Sequence, residues 1–399
     1  MKLLFVEGAT KCYFDTEGNA YSGTNFHAGI QERYRKYCDN LTILNKTDGK
    51  IYHHSELPPG LQRIDSDIAG ITTVPDLYRP RSNLLSISVR KKIQEGMTEA
   101  IRESDAVIIR VCVNYYTSLA EKICRRLGKT YMIELVEFVG LMNWYYGLEG
   151  KIIAPFSEMR AREMVRNAPY VIYVTQREQQ KRYPTNGKSL GCSDVELPEL
   201  DGEILRSRMS RVHSSHGGKV VFGTVGYMGS SVKGQEYVIR AMSRLKDSGV
   251  TNVEYHLAGA GSQEYLRGLA EKLGVSGQVV FDGVMPHEEI WRWYDSLDVY
   301  ILPSMTEGLN RSAIEAMSRA LPVTCSDAGG NPELASEDMM FHAGDVDGIT
   351  AVIREMMKPE VRAREAERSF VRAHDFERGK LDAVRDNFYS SFTGVFRRS

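Results

Sequence analysis

Leu302-Pro303-Ser304-Met305-Thr306-Glu307-Gly308-Leu309-Asn310-Arg311-Ser312-Ala313-Ile314-Glu315-Ala316-Met317 carries the densest chemistry in the chain. The apolar run Val299-Tyr300-Ile301-Leu302 stops at Pro303, as a buried strand does. A loop with a glycine follows, and helical spacing begins near Leu309. A helix N-terminus points unpaired backbone N–H groups and the positive end of its dipole outward, which suits a diphosphate. Glu307 stands just before those donors. Glu315 comes six residues into the expected helix, roughly 9 Å along its axis. Carboxylates so far apart can grip two ends of one elongated ligand through its hydroxyls, and do not share a proton. By itself the pattern is met equally well by a first-turn glutamate that only favours the helix dipole.

Outward from this stretch, strands and helices alternate. Strands are expected at residues 219–225, 254–258, 279–281, 299–302 and 323–325, with helices at 235–246, 263–273, 287–296 and 311–319. Short apolar runs separated by helices of about ten residues mean βαβ units and a parallel sheet, whose strands end at one common edge where ligands bind. The first half repeats the rhythm less cleanly. Residues 2–6, 41–44, 106–111, 131–133 and 170–174 look like buried strands, and 24–37 and 87–102 look helical. Pro58, Pro59, Gly60 and Pro75 break any pattern in residues 46–103, which read as loop-rich. Residues 197–218, with Pro198, a polar run and Gly217-Gly218, read as an interdomain linker. Residues 376–396 form an aromatic-bearing amphipathic helix pattern after the second domain is complete.

The 399 residues suit two domains of about 150–200 residues each. A net charge of −1 offers no concentrated basic face for nucleic acid. Six scattered cysteines make neither a C-x-x-C pair nor a zinc spacing, and as reduced thiols they suit the cytosol. The first residues, Met1-Lys2-Leu3-Leu4-Phe5-Val6-Glu7-Gly8, have too short an apolar run for a secretion signal or a membrane span and read as a first strand. A cytoplasmic protein is expected, with the inner face of a membrane as its furthest reach.

Glu307 and Glu315 match the E-x7-E pattern of retaining glycosyltransferases of GT-B fold. Their surroundings match as well: His256-Leu257-Ala258-Gly259-Ala260-Gly261, Phe281-Asp282-Gly283, Asp298-Val299-Tyr300-Ile301-Leu302-Pro303-Ser304, Leu321-Pro322-Val323 and Gly329-Gly330-Asn331-Pro332-Glu333-Leu334. From about Val220 to Leu334 the chain resembles the large "family four" group of sucrose synthases, mannosyltransferases and bacterial polysaccharide glycosyltransferases. The resemblance implies a catalytic Glu307 on the donor sugar's hydroxyls, with Glu315 on the ribose hydroxyls. It implies that the backbone of Gly308, Leu309 and Asn310 meets the phosphates, with Gly226 beside them. Lys233 matches the family's phosphate-binding lysine, a compact charge able to stabilise a departing diphosphate. The base pocket is implied around the backbone of Val284, and uridine diphosphate is the family's commonest carrier.

The chain also departs from that pattern. The arginine often found shortly before the lysine is absent from Gly226-Tyr227-Met228-Gly229-Ser230-Ser231-Val232, leaving Lys233, the helix amides or Arg311 to stabilise the leaving group. Where a strand of the first half often ends in a sugar-contacting histidine, the chain reads Tyr131-Met132-Ile133-Glu134-Leu135-Val136-Glu137, and either Glu134 or Glu137 can face the cleft. The loop after the first strand is long, Gly8 to Gly23, with Gly23-Thr24 expected nearest the phosphates. Asp65-Ser66-Asp67 and Asp345-Val346-Asp347 imitate a metal-binding acid pair, but both sit beside turn residues and read as solvated turn acids, so no metal or other cofactor is expected. His27 reads as a packed or solvated helix residue. Arg110 ends a buried strand at the ligand edge, suiting either a substrate contact or a structural ion pair. Arg79, Arg81, Arg90, Lys91 and Lys92 are interleaved with Leu84, Leu85, Ile87 and Val89, a mixture that suits an anionic membrane surface as well as an ordinary solvated helix face.

The expected fold is therefore α/β of GT-B type, with two facing Rossmann-like domains. Residues 1–197 would form the acceptor-binding domain, with the 376–396 helix packed back on it, and 219–375 the nucleotide-sugar domain. The expected activity is retaining, metal-independent transfer of a sugar from a nucleoside diphosphate to a glycan or lipid-linked acceptor, in surface polysaccharide assembly. Alternatives are a nucleotide-sugar epimerase of the same fold and a non-catalytic nucleotide-sugar-binding partner of another transferase. A nicotinamide-dependent dehydrogenase fits poorly, because Gly8 stands alone where a G-x-G-x-x-G turn would be needed.

Overall fold

Ala106–Val111 is buried at every position except the partly exposed Arg110. A strand apolar on both faces belongs in the middle of a parallel sheet covered by helices on each side. The computed structural model, which describes residues 1–23, 28–111, 113–145, 147–214 and 218–394, places it there. Seven parallel strands form the first sheet, in the order Lys188–Gly191, Tyr170–Tyr173, Thr130–Leu135, Ala106–Val111, Lys2–Lys11, Asn40–Thr47 and Gly70–Pro75. Six parallel strands form the second, in the order Val279–Gly283, Val253–Ala258, Val220–Val225, Val299–Leu302, Val323–Ser326 and Met340–Phe341. In both, the order reverses beside the first strand of the set, the place where ligand crevices open in such sheets.

Helices Ile87–Glu103, Tyr115–Leu127 and Gly147–Asn167 cover one face of the first sheet, burying Ile93, Met97, Ala120, Ile123, Ala161 and Met164 against it. Helix Arg378–Thr393 covers the other face with Leu381, Tyr389 and Phe392. Its approach is fixed where the chain passes twice between the sheets: Leu197 N–H donates to the Phe376 carbonyl at 2.8 Å, and Arg378 N–H to the Leu197 carbonyl at 2.9 Å.

Three regions differ from the sequence expectation. The first strand runs on to Lys11, and the expected long loop is instead a hairpin of Tyr13–Asp15 with Ala20–Ser22 inside a small four-stranded sheet. Asp15 pins that hairpin by accepting hydrogen bonds from Asn19 N–H and the Tyr21 hydroxyl, so Gly23 directly follows a strand. The loop-rich region contains the edge strand Gly70–Pro75, where Pro75 is tolerated because it ends the strand. The expected linker holds helix Gly202–Ser214, whose buried Arg208 donates to the carbonyls of Leu297 at 2.5 Å and Tyr294 at 3.2 Å. Arg208 in a core position interrupts the apolar stripe of Leu205, Met209 and Val212 that would otherwise mark the helix.

Candidate functional site

Gly234 adopts φ +67°, and a Cβ there would fall 1.9 Å from the Pro303 carbonyl oxygen. Only glycine permits this approach of the Ser231–Lys233 turn to the end of strand Val299–Leu302. Met305 N–H donating to the Val232 carbonyl at 2.8 Å holds the two segments together. Lys233 Nζ is thereby set 2.6 Å from Glu307 Oε1, and the Ser304 hydroxyl donates to the same oxygen at 2.7 Å. Gly226 lies alongside: a Cβ there would sit 3.1 Å from Lys233 Cγ, and its N–H donates to the Ala258 carbonyl at 2.9 Å.

The helix after this loop spans Arg311–Ser318, starting where the Asn310 side chain caps it by accepting from Ala313 N–H at 2.8 Å. Among the described residues, the N–H groups of Gly308, Leu309 and Asn310 donate to no protein acceptor. Arg311 is exposed at the helix start. Glu315 stands four residues further, about one turn rather than two, and accepts a hydrogen bond from the Tyr294 hydroxyl at 3.0 Å. Val284 is exposed, next after strand Val279–Gly283 and close to Gly259, whose N–H donates to the Gly283 carbonyl at 2.7 Å. Lys233, Glu307, the three N–H groups and Glu315 thus all lie on segments that follow the carboxyl ends of strands Val220–Val225 and Val299–Leu302.

The first sheet meets these segments at Gly308. A Cβ on Gly308 would fall 1.9 Å from the Val136 carbonyl oxygen and 3.4 Å from Glu137 Cα. Glu137 is therefore the acid whose backbone adjoins Gly308, and burial pushes its carboxyl up to about 7 against the opposing pull of Arg110. Glu134 is buried within strand Thr130–Leu135 and accepts from the Tyr34 hydroxyl at 2.7 Å and the Tyr389 hydroxyl at 2.6 Å. Arg110 pairs with Asp194 at 3.0 Å and approaches Glu134 at 3.8 Å, so the ion-pair role is the one it fills. Gly23 lies beside Thr10, and Thr24 and His27 fall outside the described residues.

Sequence reasoning missed Ser304 and Tyr294, which orient Glu307 and Glu315, and Glu333, which joins the halves. The Glu333 carboxylate accepts from the backbone N–H groups of Gln176 and Arg177 at 2.7 Å each and of Glu178 at 3.0 Å. Its only sequence signal was its place in the Gly329-Gly330-Asn331-Pro332-Glu333 segment. Both acid pairs serve turns. Asp67 N–H donates to the Asp65 carboxylate at 2.9 Å. Asp345 caps helix Val346–Met356 by accepting from Asp347 N–H at 2.9 Å, and Asp347 pairs with Arg244.

Comparison with known proteins defines the class. The profile of Glycosyl transferases group 1 matches residues 206–372. Protein CapJ of Staphylococcus aureus is 30% identical over 357 residues, spanning 88% of this chain and 85% of that protein. The 2-deoxystreptamine glucosyltransferase of Streptomyces kanamyceticus is 25% identical over 294 residues, spanning 68% of this chain and 75% of that protein. The chain belongs to glycosyltransferase group 1 and is a glycosyltransferase. Sucrose-phosphate synthase from Thermosynechococcus elongatus superposes with a TM-score of 0.69 at 15% identity, covering 99% of each chain. HepE from Anabaena, solved with UDP and glucose, gives 0.61 at 16% identity, covering 99% of this chain and 100% of that one. The fold is accordingly GT-B, as the sequence implied.

Proposed function

We propose that this glycosyltransferase moves a sugar, with retention, from a nucleoside diphosphate to a glycan or lipid-linked acceptor in surface polysaccharide assembly. UDP is the favoured carrier, and residues 219–375 and 1–197 are the donor and acceptor halves. One observation carries the reading: the 2.6 Å approach of Lys233 Nζ to Glu307 Oε1 beside the start of helix Arg311–Ser318. Lys233 and the N–H groups of Gly308, Leu309 and Asn310 receive the diphosphate, Glu307 the sugar hydroxyls and Glu315 the ribose. The bond from the anomeric carbon to the diphosphate oxygen breaks, and that oxygen keeps the electron pair. The acceptor oxygen bonds to the same face of the anomeric carbon, and its proton passes to the departing phosphate oxygen. Charge on that oxygen is met by Lys233 and the helix N-terminus, so the reaction proceeds without a divalent metal. Turnover abolished by chelator and restored by magnesium would overturn that last point.

A thermal-shift panel of UDP, GDP, ADP, CMP and NAD on wild type and Glu315→Ala tests the reading. A nucleotide at about 100 times its dissociation constant adds roughly 2.7 kcal/mol of stability. One nucleoside diphosphate should raise the melting temperature of wild type, with the shift lost in Glu315→Ala. A shift by NAD alone, or no shift at all, would refute the transferase donor site.

A further inference from the structure

Five cations and no acid occur in residues 79–92. In the fold, Leu85 is 89% exposed and Ile87 82% exposed, at the start of helix Ile87–Glu103. A second ridge stands on another helix of the same sheet face. Leu148, Ile152, Phe156 and Met159 project from helix Gly147–Asn167 on the side opposite its buried Gly150, Ala154, Ser157 and Ala161, with Leu148 81% and Ile152 71% exposed. Trp144 adds a half-exposed indole, with Lys151 Nζ 5.6 Å from its ring. Beyond Met159 the same side turns polar with Arg162, Glu163 and Arg166, so the apolar stripe is confined to the start of the helix.

Helix Tyr115–Leu127 lies between the two. The Arg90 guanidinium sits 5.2 Å from the Tyr115 ring on one side, and Arg160 donates to the Ser118 carbonyl at 3.3 Å on the other. All three helices pack on one face of a parallel sheet, each leading from or toward its strands in the same sense, so their N-terminal ends share the sheet's carboxyl edge. That edge also opens a cavity of about 720 Å³ lined by Lys11, Asp48, Lys50, Asp76, Arg79 and Asn83. Large apolar side chains left in water in this number mark a contact surface.

We propose that this corner of the first half binds the surface of an anionic bilayer, with Leu85, Ile87, Leu148, Ile152 and Phe156 entering the interface and Arg79, Arg81, Arg90, Lys91 and Lys92 meeting the lipid headgroups. Charge selects this occupant. A twofold contact centred on this patch would bring two sets of five cations together, which repels, whereas anionic headgroups attract them. Tryptophan beside lysine is the pairing that settles at a headgroup boundary. The proposal deepens the lipid-linked arm of the proposed function: the cavity would face the membrane that holds the acceptor.

Flotation of the full chain with phosphatidylcholine vesicles, with and without phosphatidylglycerol, tests the docking without any sugar donor. Wild type should rise with the anionic vesicles at low salt. The bound fraction should fall about tenfold or more in Leu148→Glu/Ile152→Glu, in Leu85→Glu/Ile87→Glu and in Arg90→Ala/Lys91→Ala/Lys92→Ala, with melting temperatures unchanged. The two apolar pairs are independent, so a folding defect in one leaves the other to decide. Wild type staying at the bottom, or binding neutral vesicles equally well, would overturn the proposal. So would a sedimenting dimer that the same substitutions dissolve. A failed flotation alongside a positive nucleotide shift sinks the docking alone and leaves the transferase reading standing.

Discussion

The backbone N–H of Arg177, at the head of a helix in the first half, donates at 2.7 Å to the carboxylate of Glu333 in the second. With the neighbouring bonds from Gln176 and Glu178, one buried carboxylate caps a helix in the opposite half. Hydrogen bonds to a charged group contribute about 1.5–3 kcal/mol. Glu333→Ala should speed amide exchange at Gln176, Arg177 and Glu178 and lower the melting temperature, whereas unchanged exchange there would show that the cap does not hold the halves together.

Lys233 is expected to stabilise charge on the leaving diphosphate. Its replacement in Lys233→Ala should lower kcat by about 10²–10³-fold, the cost of removing one positioned donor from a developing oxyanion. The measurement is steady-state turnover on the donor identified by thermal shift. A variant within twofold of wild type would assign the task to Arg311.

Glu137 makes stability depend on pH. Its carboxyl titrates near 7 when folded and near 4.5 when unfolded, so between those values the folded state binds more protons. Its contribution is fully present below the unfolded value and is lost as pH rises through about 7. Glu137→Gln should therefore gain stability over wild type on going from pH 4.5 to pH 8, by on the order of 3 kcal/mol. Parallel melting curves for the two proteins across that range would rule the effect out.

The Tyr389 hydroxyl donates to buried Glu134 at 2.6 Å, and its ring stacks on Tyr37 with centroids 4.7 Å apart. Tyr389→Phe keeps the stack and removes one of the two tyrosine hydroxyls holding the carboxylate. Denaturant unfolding should show a loss of about 1.5–3 kcal/mol, and no loss would mean that Tyr34 and Arg110 suffice.

What the sequence revealed follows from which signals are local. Residues 299–317 were readable because strand, loop and helix each have a short-range signature there, with two glutamates at a fixed spacing. The partners of those glutamates were not. Tyr294 reaches Glu315 from 21 residues away, and Lys233 reaches Glu307 from 74. No periodicity records such contacts. The choice between Glu134 and Glu137 turned on where a strand ends, at Leu135, which leaves Glu134 within the sheet and Glu137 beyond it. Helix Gly202–Ser214 escaped notice because Arg208 occupies a position where an apolar residue would have completed the pattern.

Helix Arg378–Thr393 completes the core of a sheet made from residues 2–191. A ribosome delivers that sheet first and the helix that seals it last, after the entire second half has been synthesised. The half made first is thus the half finished last, and throughout elongation its face for Leu381, Tyr389 and Phe392 stays uncovered. Chaperone demand during expression should fall on the N-terminal half. Supplying the helix earlier, by circular permutation that joins it ahead of Met1, would let that half mature as it emerges.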